Sequence, residues 1–157
     1  MDAETLPTIA IACDHAGPAL KRALAEGLRA AGHVVLDLGT DDEARVDYPD
    51  YAHAVCEAVR DGRAQRGVLI CGTGVGMSIA ANRHPEIRCA LAGGADIARL
   101  CREHNDANVL ALGARMIDVA KAREVLRVFL ATPFEGGRHV RRLDKLAPAL
   151  AGGGVTV

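Results

Sequence analysis

The chain has 157 residues, half of them apolar, and a formal net charge of −1. That suits one domain with a real core, and the near-neutral balance gives no sign of nucleic acid or an anionic membrane as the main partner. Aromatics make up only 3% and tryptophan is absent, which excludes a stacking platform for bases. No apolar run reaches membrane-spanning length, and the acidic start, Met1-Asp2-Ala3-Glu4, is unlike a secretory signal. A soluble cytoplasmic protein is the expectation. The five cysteines, Cys13, Cys56, Cys71, Cys89 and Cys101, are far apart and contain no C-x-x-C. This argues against a disulfide framework or a zinc knuckle, and most of them read as buried small hydrophobes.

In chain order, apolar runs alternate with helical patterns. Ile9 to Cys13 reads as a strand and Asp14 to Gly17 as a loop. Pro18 opens a helix with Leu20, Leu24 and Leu28 on one stripe, closed by Gly32. Val34 to Leu38 is a second strand, followed by a polar loop from Gly39 to Asp50. A helix from Tyr51 to Asp61 turns Val55, Cys56 and Val59 inward. Val68 to Ile70 is a third strand, leading into Cys71-Gly72-Thr73-Gly74-Val75-Gly76 and a helix to about Arg83, broken by His84-Pro85. Arg88 to Ala92 is a fourth strand. The next helix, Ala95 to His104, presents Ile97, Leu100, Cys101 and His104 on one face. Val109 to Leu112 is a fifth strand, and Asp118 to Ala131 a helix with Val119, Ala122, Leu126, Phe129 and Leu130 inward. A last helix carries Val140, Leu143, Ala147 and Leu150 on one face. Residues 1–150 form a single domain in this reading, and 151–157 a flexible tail.

Five strands alternating with helices predict a three-layer α/β/α sandwich. It is Rossmann-like, with a mainly parallel five-stranded sheet and an extra C-terminal helix. The polar residues of interest mostly follow strands: Asp14 and His15, Asp47 and Tyr48, Cys71 to Gly76, and Arg115. They should gather at one edge of the sheet, where open α/β sheets bind ligands.

The glycine loop after Cys71 lets backbone amides approach an anion closely. It lacks the Gly-Lys-Ser/Thr of a Walker loop. Met77 stands where a dinucleotide fingerprint needs its third glycine and where a cysteine phosphatase loop would want an arginine. Asp96 lies at a tolerable distance for a ribose contact, which keeps a nucleotide reading open. What remains is a cradle of amides around a thiol, a setting that favours a nucleophile or a base. A strand-end cysteine that merely packs is the plainer alternative. Asp14-His15 fits either a polar pair in the crevice or a helix-capping Asp beside a solvated His. His104 is either a satisfied core histidine or, with Asn105, Asp106 and Asn108 behind it, a residue looking outward. Arg115, Arg138, His139, Arg141 and Arg142 suit a phosphate or simply a solvated basic helix.

Taken together, six ordered segments resemble the ribose-5-phosphate isomerase B family, which includes the galactose-6-phosphate isomerase subunits. They are Cys13 to Gly17, Asp47 to Pro49, Ile70 to Gly76, Ser78 to Asn82, His104 to Asn108 and Glu135 to His139. The resemblance implies an aldose–ketose isomerase for a phosphorylated sugar, interconverting ribose 5-phosphate and ribulose 5-phosphate, with no cofactor and no metal. It implies Cys71 as the base acting through an enediolate, His104 as the group that helps open the furanose ring, and Thr73 as a hydroxyl assisting at the substrate oxygens. Asp14, His15 and Tyr48 match residues lining the sugar site. His15, Arg115, Arg138, His139 and Arg142 match positions near the phosphate. Asn105 and the amides of Gly72, Gly74 and Gly76 complete the expected substrate contacts. The resemblance further implies a homodimer or tetramer with active sites shared between subunits. Ala92-Gly93-Gly94-Ala95 is unusually small and leaves open another sugar phosphate, of four or six carbons. A non-catalytic phosphate- or nucleotide-binding module is the alternative from another class.

Overall fold

A computed structural model describes residues 5–148. Five apolar runs form strands β1 (Ile9–Cys13), β2 (Val35–Asp37), β3 (Arg66–Cys71), β4 (Cys89–Leu91) and β5 (Val109–Gly113). They make one sheet in the order β2-β1-β3-β5-β4, and every pairing is parallel. Parallel neighbours need crossovers. These are α1 (Pro18–Ala30), α2 (Tyr48–Arg60), α3 (Val75–Ala81) and α4 (Ala95–Asn105), with α5 (Val119–Ala131) and α6 (Arg138–Asp144) following the last strand. The three-layer expectation is met.

Alternation along the strands builds two unequal cores. Ile9, Ile11, Val68, Ile70, Leu110 and Leu112 face α1, α4 and α5. Ala10, Ala12, Leu69, Cys71 and Ala111 face α2 and α3. The second face is small so that α2 can approach the sheet. A Cβ added at Gly67 would stand 2.6 Å from Val55 Cγ1.

Several boundaries differ from the sequence reading. Helix α2 begins at Tyr48, not Tyr51, because Pro49 pre-sets the first turn while Asp47 stays extended. Helix α3 ends at Ala81, short of Arg83. The Asn82 side chain bonds both backbone groups of Cys89, donating to its carbonyl at 2.9 Å and accepting from its N–H at 2.8 Å. In α4 the inward face is Ala98, Cys101 and Arg102, whereas Ile97 is half exposed. The Arg102 guanidinium is drawn in by Asp106 and by the carbonyls of Ala107 and Thr132. In α5, Val125 is buried and Val119 is not. In α6 only His139 is buried; Val140 is exposed and Ala147 lies beyond the helix. Leu150 and the expected tail lie outside the described residues.

Candidate active site

The chain leaves β1 toward one side of the sheet, into β2, and leaves β3 toward the other. The crevice between the carboxyl ends of β1 and β3 is therefore the switch point where such sheets hold ligands. Asp14 and His15 follow β1, and the Cys71 loop follows β3.

Backbone bonds fix this edge. Asp14 N–H donates to the Ile70 carbonyl at 3.0 Å, and the Asp14 carboxylate accepts from the Ala16 N–H at 2.9 Å. His15 Nδ1 accepts the Val46 N–H at 3.3 Å. An acceptor at Nδ1 places the neutral ring's proton on Nε2, so His15 offers a donor. Cys71 is 5% exposed, and its Sγ accepts the Gly74 N–H at 3.2 Å. The loop reaches this shape because Gly74 takes φ +81°. Thr73 is exposed, and its Oγ1 accepts the Val75 N–H at 3.3 Å, which leaves the hydroxyl hydrogen free to donate.

Neighbouring loops lean on the same glycines. A Cβ at Gly76 would lie 2.7 Å from the Tyr48 ring, and one at Gly72 would lie 2.8 Å from Arg115 Nη1. Arg115 N–H donates to the Gly72 carbonyl at 3.0 Å. Asp14, His15, Tyr48, Cys71, Gly72, Thr73, Gly74, Gly76 and Arg115 thus share one edge. Past β4, a Cβ at Gly93 or Gly94 would meet nothing within 4 Å.

His104, Asn105, Arg138, His139 and Arg142 are elsewhere. Helix α4 runs back from the carboxyl edge, so its last turn reaches the opposite edge. There Arg88, one residue before β4, donates to the carbonyls of Asn105 and Asp106. Register places Val109 beside Gly67 and Gly113 beside Cys71. Four residues of strand rise about 13 Å between the two edges. The His104 and His139 rings stack there with centroids 4.5 Å apart, and His139 Nε2 lies 3.3 Å from Glu135 Oε2. Arg138 and Arg142 are exposed. One chain therefore separates Cys71 from His104.

Residues 9–146 match the model of the family described as Ribose/Galactose Isomerase. The chain belongs to this family. It is 44% identical to Escherichia coli ribose-5-phosphate isomerase B over 138 residues, covering 88% of this chain and 93% of that one. It is 40% identical to the galactose-6-phosphate isomerase subunit LacB of Clostridium acetobutylicum, covering 87% and 79%. The solved ribose 5-phosphate isomerase of Thermotoga maritima superposes with a TM-score of 0.87 at 50% identity, covering 88% and 96%. The chain is accordingly an isomerase, and its fold is that of its relatives. Among the described residues, no helix is long and apolar enough to cross a membrane.

Two residues that shape this isomerase's site escaped the sequence reading. Lys21 is fully buried, and its Nζ bonds Asp37 at 2.6 Å and Asp41 at 2.7 Å. It pins the loop that delivers the Val46 N–H to His15. Its position three before Leu24 on the buried stripe was the available signal. Gly113 is the other: a Cβ there would come 2.7 Å from the Thr73 backbone.

Proposed function

We propose that the chain interconverts ribose 5-phosphate and ribulose 5-phosphate, with Cys71 as the base. The observation carrying this reading is the Cys71 sulfur facing the Gly74 amide inside a glycine loop at the switch point. On the open-chain aldose, the thiolate takes the C2 proton and the electrons pass through C2–C1 to O1. The same proton returns to C1, and the O2 hydroxyl proton moves to O1, leaving the carbonyl at C2. Atoms and electrons balance without a cofactor or a metal. The glycine loop faces the charge that develops on oxygen, and one backbone donor from it supplies about 3 kcal/mol. Thr73 donates its hydroxyl hydrogen to the same oxygens. Asp14, His15 and Tyr48 line the sugar, and His15 and Arg115 serve the phosphate from this chain.

His104 opens the furanose ring, with Asn105 beside it. Since both stand at the far edge with Arg138, His139 and Arg142, these five enter the site of a neighbouring copy. The working unit is then a homodimer, or a tetramer of such pairs. A cytoplasmic metabolic role accords with this substrate.

A longer sugar phosphate is the second reading, favoured by the open space at Gly93 and Gly94 and by the similarity to LacB. Comparing kcat/KM on ribose 5-phosphate, allose 6-phosphate and galactose 6-phosphate separates the two. Preference for ribose 5-phosphate supports the first, and preference for a six-carbon substrate overturns it.

A further inference from the structure

At the edge away from Cys71, His104, Glu135 and His139 bring one donor atom each to within 4.8 Å of one another. Two imidazoles and one carboxylate are the donor set of open zinc sites, in which a fourth position is left to water or another ligand. Donors on a tetrahedral zinc stand about 3.4 Å apart, given bond lengths near 2.1 Å. The pair His139 Nε2 and Glu135 Oε2 is already at 3.3 Å. His104, stacked on His139 at 4.5 Å between centroids, must turn its ring out of that stack to join them.

The scaffold is built before any cation arrives. Glu135 N–H donates to the Glu103 carbonyl on α4 at 3.1 Å, tying the loop to the helix that carries His104. Gly136 and Gly137 take φ +66° and +56°, which turns the chain so that His139 comes back over Glu135. His139 is 4% exposed, so its ring is held, while the exposed Glu135 gives a cation its entrance. The competing charge is Arg138, with Nη2 3.9 Å from Glu135 Oε2, beyond hydrogen-bond distance.

We propose that His104, Glu135 and His139 form an inhibitory site for a borderline divalent cation of the zinc type. The cation takes the imidazole of His104 and so removes the ring-opening group. The inhibition rests on the isomerase reading above, whereas the binding does not.

The test uses the whole protein with Co2+ and Zn2+ alone. Co2+ should give the visible absorption of a four-coordinate nitrogen and oxygen site, and one equivalent of Zn2+ should abolish it. Glu135→Gln should weaken both metals at least 10-fold. Zn2+ should also stop ribose 5-phosphate turnover reversibly, with Glu135→Gln turning over normally in its absence and tolerating at least 10-fold more Zn2+. Thiolate-to-cobalt charge transfer, or equal affinity in Glu135→Gln, overturns the site. Cobalt binding with Glu135-dependent affinity but no turnover in either protein would uphold the site and count against the isomerase reading.

Discussion

Cys71 differs from three other cysteines in what faces its sulfur. The thiols of Cys13, Cys56 and Cys101 point at carbonyl oxygens of Thr40, Ala81 and Ala98, which need the S–H hydrogen. Burial pushes Cys13 and Cys56 up to about 12 and Cys101 up to about 11, and it raises Cys89 as well. Those four stay protonated at neutral pH. Cys71 instead accepts a backbone N–H. Cys71→Ala should therefore lower kcat by about 10²- to 10⁴-fold, the worth of a positioned base, with KM within a few-fold. Steady-state kinetics on ribose 5-phosphate check this, and near-normal turnover would remove Cys71 from its role. Gly74 offers a second test. Alanine there must adopt φ +81° with Leu91 Cδ1 at 2.5 Å and the Leu112 carbonyl carbon at 3.0 Å. It should cost about 1–3 kcal/mol in urea unfolding. Gly93→Ala, with open space around it, should cost almost nothing. The cysteine and its glycines were readable because local order alone places them after a strand. The Gly74–Sγ bond and the Tyr48 ring on Gly76 were not, since they depend on side-chain placement.

Among the elements, α1 carries the least expected feature. Its leucine stripe was plain from spacing, but the burial of Lys21 depends on partners 16 and 20 residues away. Burial works to lower the Lys21 pKa, and the hydrogen bonds to Asp37 and Asp41 outweigh it, so the ammonium is held above its ordinary 10.5. The same bond from Lys21 holds the Asp41 carboxyl below its ordinary 3.8. The Lys21 contribution is complete below pH 10.5 and fades as pH rises through the raised value. The Asp41 contribution is complete above pH 3.8 and fades as pH falls through the lowered one. Lys21→Met should cost about 1–3 kcal/mol at neutral pH, the loss of charged hydrogen bonds at a buried site. It should also flatten the stability profile at both extremes, as followed by urea midpoints from pH 3 to 11. An unchanged profile would show that the pair does not carry the loop. The inward face of α4 was misjudged for a related reason. Arg102 turns inward because the carbonyl of Thr132, 30 residues away, joins Asp106 and the Ala107 carbonyl in receiving it, and the Thr132 partner is not encoded in the helical period.

At the scale of the whole molecule, the sheet divides the proposed chemistry. Alternating strands and helices made the architecture legible, and the residues after β1, β3 and β5 share the crevice that this topology creates. The distance from Cys71 to His104 was not legible, because order along the chain does not say which end of a helix faces which edge. If His104 serves a neighbouring copy, two inactive variants should repair each other. Cys71→Ala and His104→Asn subunits, co-expressed with different tags and allowed to mix, form hybrid dimers in which one site carries both substitutions and the other carries neither. Random pairing should then restore about one quarter of the native ribose 5-phosphate isomerase activity. Activity no higher than the sum of the two parent variants would contradict the shared site.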